Sequence, residues 1–467
     1  MMYRIFILCF CFSLGANAQE LDTLQLKFGE YLGYVKKYHP IAKQAELAIS
    51  FGQANLMKAR GGFDPKVGVD YSTKEFKGEE YYDLLNATFK LPTWYGIELK
   101  GEFEQYSGED LNPQNNVPED GLYSAGIALA LGRGSWINER MATVKKAKFF
   151  REQSKADRDL LVNQILFDAS LTYFNWLQAY RNNEVFRNFL ENAKIRFEGI
   201  KERARSGDMA AIDTVEAKIA VQNRALDLEQ AKVQLRNTTL ELSNFLWMGE
   251  NIPMELRDNV IPDLSLDTEI DQTLEILGKP LDSFALQNHP KLLSLGYKID
   301  GLRVDKQLKT NKLLPRIDVE YKFITETPEY INSFVTENYK GGLNFELPLF
   351  LRKERGDLKL AKVKLRDAEF ELDNAQVVIQ NKILAIYNEL ESFEEQNVLI
   401  DDIVENYDTL LSAELRKFSF GESSLFLINT RENKLIDAVL KQNQVENKYF
   451  TAKAKLFNSL AVNPENL

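Results

Sequence analysis

Thirteen prolines punctuate this 467-residue chain, yet none falls within residues 119–252 or 349–463. Within 135–248 the glycines are Gly199 and Gly207, and within 351–463 they are Gly356 and Gly421. Proline removes a backbone donor and clashes with the preceding turn, and glycine costs about 1 kcal/mol inside a helix. Their absence over such lengths predicts long helices. Each window reads as one helical hairpin, 138–248 and 353–461, bent near Gly207 and Gly421, where glycine turns left-handed without steric cost. The leading arms, 138–198 and 353–416, would run roughly 90 Å at ~1.5 Å per residue. The returning arms, 209–248 and 423–461, would run roughly 60 Å. Arms of that length do not fold back into a globule; they build a tube or a coiled coil.

The first returning arm separates these options. Ile212, Ile219, Leu226, Val233 and Leu240 repeat every seventh residue, a coiled-coil seam. A second seam, Val221, Leu228, Leu235 and Leu242, lies about 200° round the helix. Two seams mean neighbours on two sides, as in a closed ring of helices. Burial inside a large bundle would give the same pattern, but the acidic, Lys-rich remainder favours contact with water.

Ahead of each hairpin the apolar period falls from 3.6 to 2. Ile317, Val319, Tyr321 and Phe323 alternate with Asp318, Glu320 and Lys322; Tyr339, Leu343, Phe345 and Leu347 alternate with Lys340, Asn344 and Glu346. In the first half, Val67, Val69 and Tyr71 alternate with Lys66 and Asp70, and Ile97, Leu99 and Phe103 with Glu98, Lys100, Glu102 and Glu104. Alternating segments of this length are the signature of a transmembrane β-barrel, apolar toward lipid and charged toward a wet lumen, although a one-sided soluble sheet alternates too. Trp94, Tyr95 and Trp136 stand at strand ends, where an interfacial aromatic girdle or ordinary packing would use them.

The N-terminus favours the membrane reading. Arg4, the apolar run Ile5 to Leu14 and Ala16-Asn17-Ala18 have the form of a secretory signal peptide over 1–18, cleaved between Ala18 and Gln19. Both cysteines, Cys9 and Cys11, lie in that leader, so the exported chain would hold neither disulfide nor thiol nucleophile. Loss of Arg4 moves the formal charge from −11 to −12, a poor balance for nucleic-acid binding.

The pattern is written twice. Pro40 and Pro65 recur, at an offset of 250, as Pro290 and Pro315, each frame opening on one of the two histidines, His39 and His289. Tyr123 and Gly126 recur, at an offset of 216, as Tyr339 and Gly342. Gly207, Leu242, Asn244 and Leu246 recur, at an offset of 214, as Gly421, Leu456, Asn458 and Leu460. This reads as an internal duplication. The first repeat is 19–248 with strands in 65–132, an equatorial segment follows at 249–283, and the second repeat is 284–467 with strands in 315–348. The fold class is α+β, mainly α.

The paired His-Pro helices, the "PKV" and "PRI" strand entries and the two glycine-tipped hairpins, in this order and twice over, resemble the TolC-like outer-membrane efflux protein family. The resemblance implies a homotrimer, with a β-barrel in outer-membrane lipid continued by an α-barrel across the periplasm. It implies a passive duct for efflux or type I secretion, docked through its helical tips onto a periplasmic adaptor and an inner-membrane transporter. The tip residues are Arg203, Arg205, Ser206, Gly207 and Asp208, with Lys417, Ser419, Gly421, Glu422 and Ser423. Helix capping explains the same residues, with cations at a C-terminus and Asp208, Glu422 or Ser423 at an N-terminus. In the family, acids just past the second tip narrow the mouth. The matching stretch here, Leu425 to Thr430, contains none; Asp213 and Glu216, at a comparable depth in the first hairpin, are weaker gate candidates that also read as ordinary solvated acids of a helix face. The histidines read as structural residues, each preceding a proline suited to a first helical turn.

The offset falls from 250 to 216 between Pro65 and Tyr123, so the first repeat holds a stretch there that the second lacks. It has the pattern of two further strands, 82–91 and 94–106, joined by the turn at 92–94, with the polar loop 107–121 at the opposite end. If that hairpin joins the barrel, a trimer has eighteen strands instead of the family's twelve; otherwise it folds outside the membrane or into the lumen. A non-conducting coiled-coil envelope scaffold is the rival to the duct, though a scaffold has no use for alternating strands. Two structural histidines, no cysteine past the leader and no phosphate loop point away from an enzyme, a cofactor or a metal site.

Overall fold

The computed structural model describes residues 24–109, 111–134, 136–276, 286–329 and 334–464. The leader at 1–18 and the end of the 249–283 segment lie outside them. In chain order, β1 (Leu24–Leu26), α1 (Phe28–Tyr38) and α2 (Pro40–Arg60) precede four strands, β2 (Lys66–Phe76), β3 (Glu79–Pro92), β4 (Ile97–Ser107) and β5 (Leu122–Gly132). The first hairpin follows as α3 (Glu139–Arg205) and α4 (Ala211–Ser243). Short strands β6 (Trp247–Met248), β7 (Ile252–Pro253) and β8 (Val260–Pro262) lead to α5 (Leu266–Thr273) and α6 (Pro290–Asn311). Then come β9 (Arg316–Thr325), β10 (Tyr339–Glu346) and the second hairpin, α7 (Arg352–Ser419) and α8 (Leu425–Leu460).

The fold is mainly helical. α3 and α7, at 67 and 68 residues, each reach about 100 Å. α4 and α8, at 33 and 36 residues, reach about half as far, so each covers only the tip half of its long partner. α2 and α6 cover the other half. The wall therefore runs α4–α3–α8–α7 toward the tips and α2–α3–α6–α7 toward the strands, always four helices across.

Edge position explains the two seams of α4. Leu228 and Leu242 are buried and Val221 and Leu235 half-buried, packed inside the chain. Ile212, Ile219, Leu226, Val233 and Leu240 remain 44–69 % exposed. On the opposite edge, α7 exposes its own seven-residue repeat, Val363, Phe370, Val377 and Leu384, at 40–59 %. Among the described residues, one of α4's two predicted seams is packed and the other stays largely open.

The main core lies at mid-height, where the short helices end and begin. Phe28, Tyr31 and Leu32 of α1 pack on Tyr173, Phe174 and Leu177 of α3, with Leu242, Ile270, Phe450 and Phe457 closing round them. Each such buried side chain contributes about 2–3 kcal/mol. Tyr173 Oη donates to the Leu26 carbonyl at 2.7 Å and accepts from the Asp263 N–H at 3.1 Å, fixing the parallel β1–β8 pair against the bundle.

The other six strands form one antiparallel sheet in the order β10–β9–β5–β4–β3–β2. The two strands absent from the second half, β3 and β4, lie between β2 and β5 and are hydrogen-bonded on both sides. Two predicted boundaries move. β3 starts at Glu79 rather than residue 82, because Lys77 and Gly78, with φ of 56° and 80°, make a two-residue turn of the mirror-image type that matches strand twist. β4 starts at Ile97 rather than Trp94, because Gly96 is left-handed (φ 74°) and the Thr93 N–H donates to the Ile97 carbonyl at 2.8 Å.

Candidate functional site

The surfaces to compare are the sheet at one end of the chain, the helical hairpin tips at the other and the helical wall between them. The register of the sheet separates two faces across all six strands. One face carries Val67, Val69 and Tyr71, Phe89 and Leu91, Leu99 and Phe103, Ile127 and Leu131, Val319 and Phe323, and Leu343 and Phe345. Many are open to solvent, including Val67 at 77 % and Leu343 at 72 %.

The other face is charged and tied together. Lys100 Nζ lies 3.0 Å from Glu320, Lys322 Nζ lies 2.5 Å from Glu102 and 2.7 Å from Glu320, and Lys340 Nζ lies 2.9 Å from Glu104. The pairs from β4 to β9 bridge over β5, and Lys340 of β10 reaches Glu104 over β9 and β5; beyond Leu122 at its start, β5 presents Ser124, Gly126 and Ala128 on this face. Small side chains let the longer ones meet above them. At Gly126 the approach is closest: a Cβ would sit 2.1 Å from the Tyr321 carbonyl oxygen and 2.6 Å from Lys322 Cα.

The junction between sheet and helices divides the three girdle candidates. Trp94 stacks on Phe63 at 5.3 Å beside Ile137, Met141 and Leu56, so it is a packing residue in the β3–β4 turn. Tyr95 and Trp136 are 74 % and 84 % exposed.

The tips are two copies of one helix-ending motif. At the first, the Asp208 N–H donates to the Arg203 carbonyl (2.9 Å) and the Gly207 N–H to Ala204 (3.3 Å). At the second, Glu422 donates to Lys417 (3.0 Å) and Gly421 to Phe418 (3.1 Å). Both glycines are left-handed, φ 85° and 79°, as this motif requires. The predicted N-caps move: α4 starts from Ala210 with no side-chain cap, and α8 is capped by Ser424, not Ser423 or Glu422. Ser423 Oγ instead donates to the Glu414 carboxylate. Arg205 pairs with Glu202 at 2.7 Å, Ser206 and Ser419 bond back to their own helices, and the Arg203 guanidinium lies over the Phe418 ring at 5.6 Å. That last contact joins the two tips. Phe420 and Phe426, not singled out from sequence, stand beside them at 74 % and 66 % exposure.

Of the two gate candidates, Glu216 accepts from Asn429 Nδ2 at 3.2 Å, a link between the hairpins, while Asp213 lies in the first turn of α4. A stronger polar link lies one turn deeper and escapes a reading of the sequence. Arg196 Nη1 meets Glu432 at 2.6 Å with the carboxylate only 2 % exposed. Asn182–Asn443 at 2.8 Å and Asn163–Asn458 at 3.0 Å continue this polar seam between α3 and α8. Heptad reading registers apolar positions and passes over such a seam.

At mid-height the two histidines cap helices. His39 Nδ1 accepts from the Ile41 N–H at 3.2 Å at the start of α2, and its ring stacks on Phe245 just past α4. Among the described residues no group of three or more His, Cys, Asp or Glu side chains is placed to hold a metal ion, and no helix is long and apolar enough to cross a membrane.

Residues 282–462 match the family model described as "Outer membrane efflux protein". The fold is that of outer-membrane channels. The chain is similar to the Campylobacter jejuni CmeC outer membrane channel at 15 % identity and a TM-score of 0.65, over 93 % of this chain and 85 % of that one. It is similar to the VceC outer membrane protein of Vibrio cholerae at 11 % identity and 0.64, over 93 % and 96 %. It is also similar to the open state of the MtrE outer membrane channel of Neisseria gonorrhoeae at 11 % and 0.64, over 93 % and 88 %. No curated protein sequence matches. Together with the family-model match, these likenesses answer to the TolC-like resemblance carried by the two hairpins.

Proposed function

We propose that this protein is the outer-membrane conduit of a tripartite efflux or type I secretion system, exported by a leader cleaved near Ala18 and assembled as a trimer. The carrying observation is the six-stranded sheet with one apolar, open face and one charged face. Strands of about eleven residues tilted ~40° span the ~25 Å apolar band of an outer membrane. Backbone at that depth survives only where its hydrogen bonds are closed within a barrel. A coiled-coil scaffold of the envelope has no use for such a face.

In this reading the repeats 19–248 and 284–467 each give wall and strands, and 249–283 girdles the middle. Tyr95 and Trp136 lie at the periplasmic membrane interface. The exposed seam of α4 packs on the exposed seam of α7 in the next copy, which closes the helical ring. The tips meet a periplasmic adaptor beneath which an inner-membrane transporter supplies the energy, and Glu216 with Asp213 lies near the mouth. The duct itself has no reaction to catalyse.

Membrane fractionation followed by mass measurement of the detergent-extracted protein tests this. An outer-membrane trimer is expected; a soluble monomer overturns the reading.

A further inference from the structure

We infer that all six strands of each copy enter the barrel wall, joined to the next copy through β2 and β10, so that the trimer closes with eighteen strands. The inference rests on the conduit reading and extends it to the width of the pore. Three observations support it.

First, β2 and β10 are the two edges of the sheet, and each has one side without a strand partner among the described residues. Unpaired edges cannot remain open in lipid. β2 leaves the helices and β10 returns to them, so β2 of one copy meets β10 of the next antiparallel, and the alternation continues unbroken round the ring. The occupant of each edge is thus a second copy of this chain.

Second, the apolar face is continuous from β2 to β10. Val67 and Val69 at one edge and Leu343 and Phe345 at the other are all at least 61 % exposed. A hairpin folded into the lumen or lying outside the membrane would break that surface. β3 and β4 instead occupy its centre, bonded to β2 and β5.

Third, the perimeters agree. Each copy contributes four helices to the wall, which at ~9 Å between axes occupy ~36 Å. Six strands ~4.8 Å apart and tilted ~40° occupy ~38 Å, whereas four at the same tilt occupy ~25 Å. The ratio holds for any number of copies. The duct therefore keeps a nearly uniform bore from helices to barrel, about half as wide again in the membrane as a twelve-stranded one of equal tilt. Bulky cargo that passes the helical section passes the barrel too.

Paired cysteines test this, since the sequence has none beyond Cys11. Seam pairs combine Val67→Cys or Val69→Cys on β2 with Leu343→Cys or Phe345→Cys on β10, four combinations that scan register. The rival pair is Val69→Cys with Ile127→Cys, residues three strands apart in the six-stranded sheet and too far for a disulfide, but neighbours if β3 and β4 are expelled. Single-cysteine variants that still form trimers control for folding. After oxidation in outer membranes, at least one seam pair is expected to give covalent dimers and trimers, and the rival pair nothing. A trimer in which the rival pair closes within one chain, or in which no seam pair reacts, overturns the eighteen-stranded barrel and leaves the conduit standing. Loss of the trimer in the parent protein overturns the conduit reading itself.

Discussion

The imidazole of His289 joins the end of one helix to the start of another: its Nε2 donates to the Ser459 carbonyl at 3.2 Å in the last turn of α8, while its Nδ1 accepts from the Lys291 N–H at 3.1 Å in the first turn of α6. His39 repeats the arrangement between Asn244 at the end of α4 and Ile41 in α2. Both bonds together require the neutral ring with its proton on Nε2. Burial pushes both histidines below their ordinary value of 6.5. The unfolded chain therefore takes up protons first as pH falls, so this stability is complete above about pH 6.5 and declines below it, down through the folded-state values. The unfolding temperature should be flat from pH 8 to about 6.5 and then drop. In a His39→Asn, His289→Asn double variant, asparagine still caps without titrating. Its drop between pH 6.5 and 5 should disappear; a drop of unchanged size would assign it to other groups.

Arg196 and Glu432 form a buried ion pair at 2.6 Å across the α3–α8 seam. Arg196→Ala leaves a buried carboxylate without its cation and should cost about 3–5 kcal/mol. The double change Arg196→Met, Glu432→Leu removes both charges and should cost far less. A double-mutant cycle on detergent-solubilised protein measures the coupling, and additive losses would mean that the two groups do not depend on each other.

At the tips, Arg205 and Glu202 are both about two-thirds exposed, so reversing charge at Arg205 or Lys417 should change stability by less than about 0.5 kcal/mol. Arg203→Glu also loses its contact with Phe418, about 0.5–1 kcal/mol. The triple reversal should leave the level of trimer unchanged while cutting adaptor cross-linking and export at least fivefold. Phe420→Ser with Phe426→Ser should do the same if the exposed rings are part of that contact. Unchanged cross-linking would refute the docking role.

Much of the architecture is legible because its signals are coarse. Long stretches without proline or glycine locate α3, α4, α7 and α8, and Gly207 and Gly421 mark their turns. Parity locates the strands within a few residues. What escapes depends on particular partners. Lys77-Gly78 is not one of the strong hairpin dipeptides, so the early start of β3 leaves no sign. Trp94 has the position of an interfacial ring, and only the fold puts Phe63 beneath it. Ser424 and Ser423 are equivalent as letters, and only the path of the chain chooses the cap. The prolines that follow them mark the histidines as structural, but their second partners, at Ser459 and Asn244, lie in a different helix far along the sequence. The Arg196–Glu432 seam leaves no periodic trace.

Gly126 is needed for want of space. Since a Cβ there would overlap the β9 backbone at Tyr321 and Lys322, Gly126→Ala must push two strands apart, at a cost of about 3 kcal/mol or more. At Gly342, its counterpart on the edge strand β10, a Cβ would meet nothing within 4 Å in its own chain, and Gly342→Ala should cost the folded chain little. Thermal unfolding of the detergent-extracted protein compares the two. Equal loss in both would mean that strand flexibility, not the close approach, is what glycine supplies.

The two seams of α4 make the last contrast. Leu228 and Leu242 pack inside the chain, whereas Ile219, Leu226 and Val233, on the opposite side of the same helix, are 51–61 % exposed. Leu242→Ala, at a site with no exposure, removes buried atoms that the surrounding core cannot replace and should destabilise the folded chain itself by about 2–5 kcal/mol. Ile219→Ser, Leu226→Ser and Val233→Ser together change side chains that belong to none of the buried clusters among the described residues. They should leave the chain's helix content and unfolding nearly unaltered while abolishing assembly, because in the proposed ring this seam packs against another copy. Circular dichroism and mass in detergent, read side by side, separate the two effects. A triple variant that still assembles as the parent does would move the contact between copies off the α4 edge, and with it the closure of the helical ring.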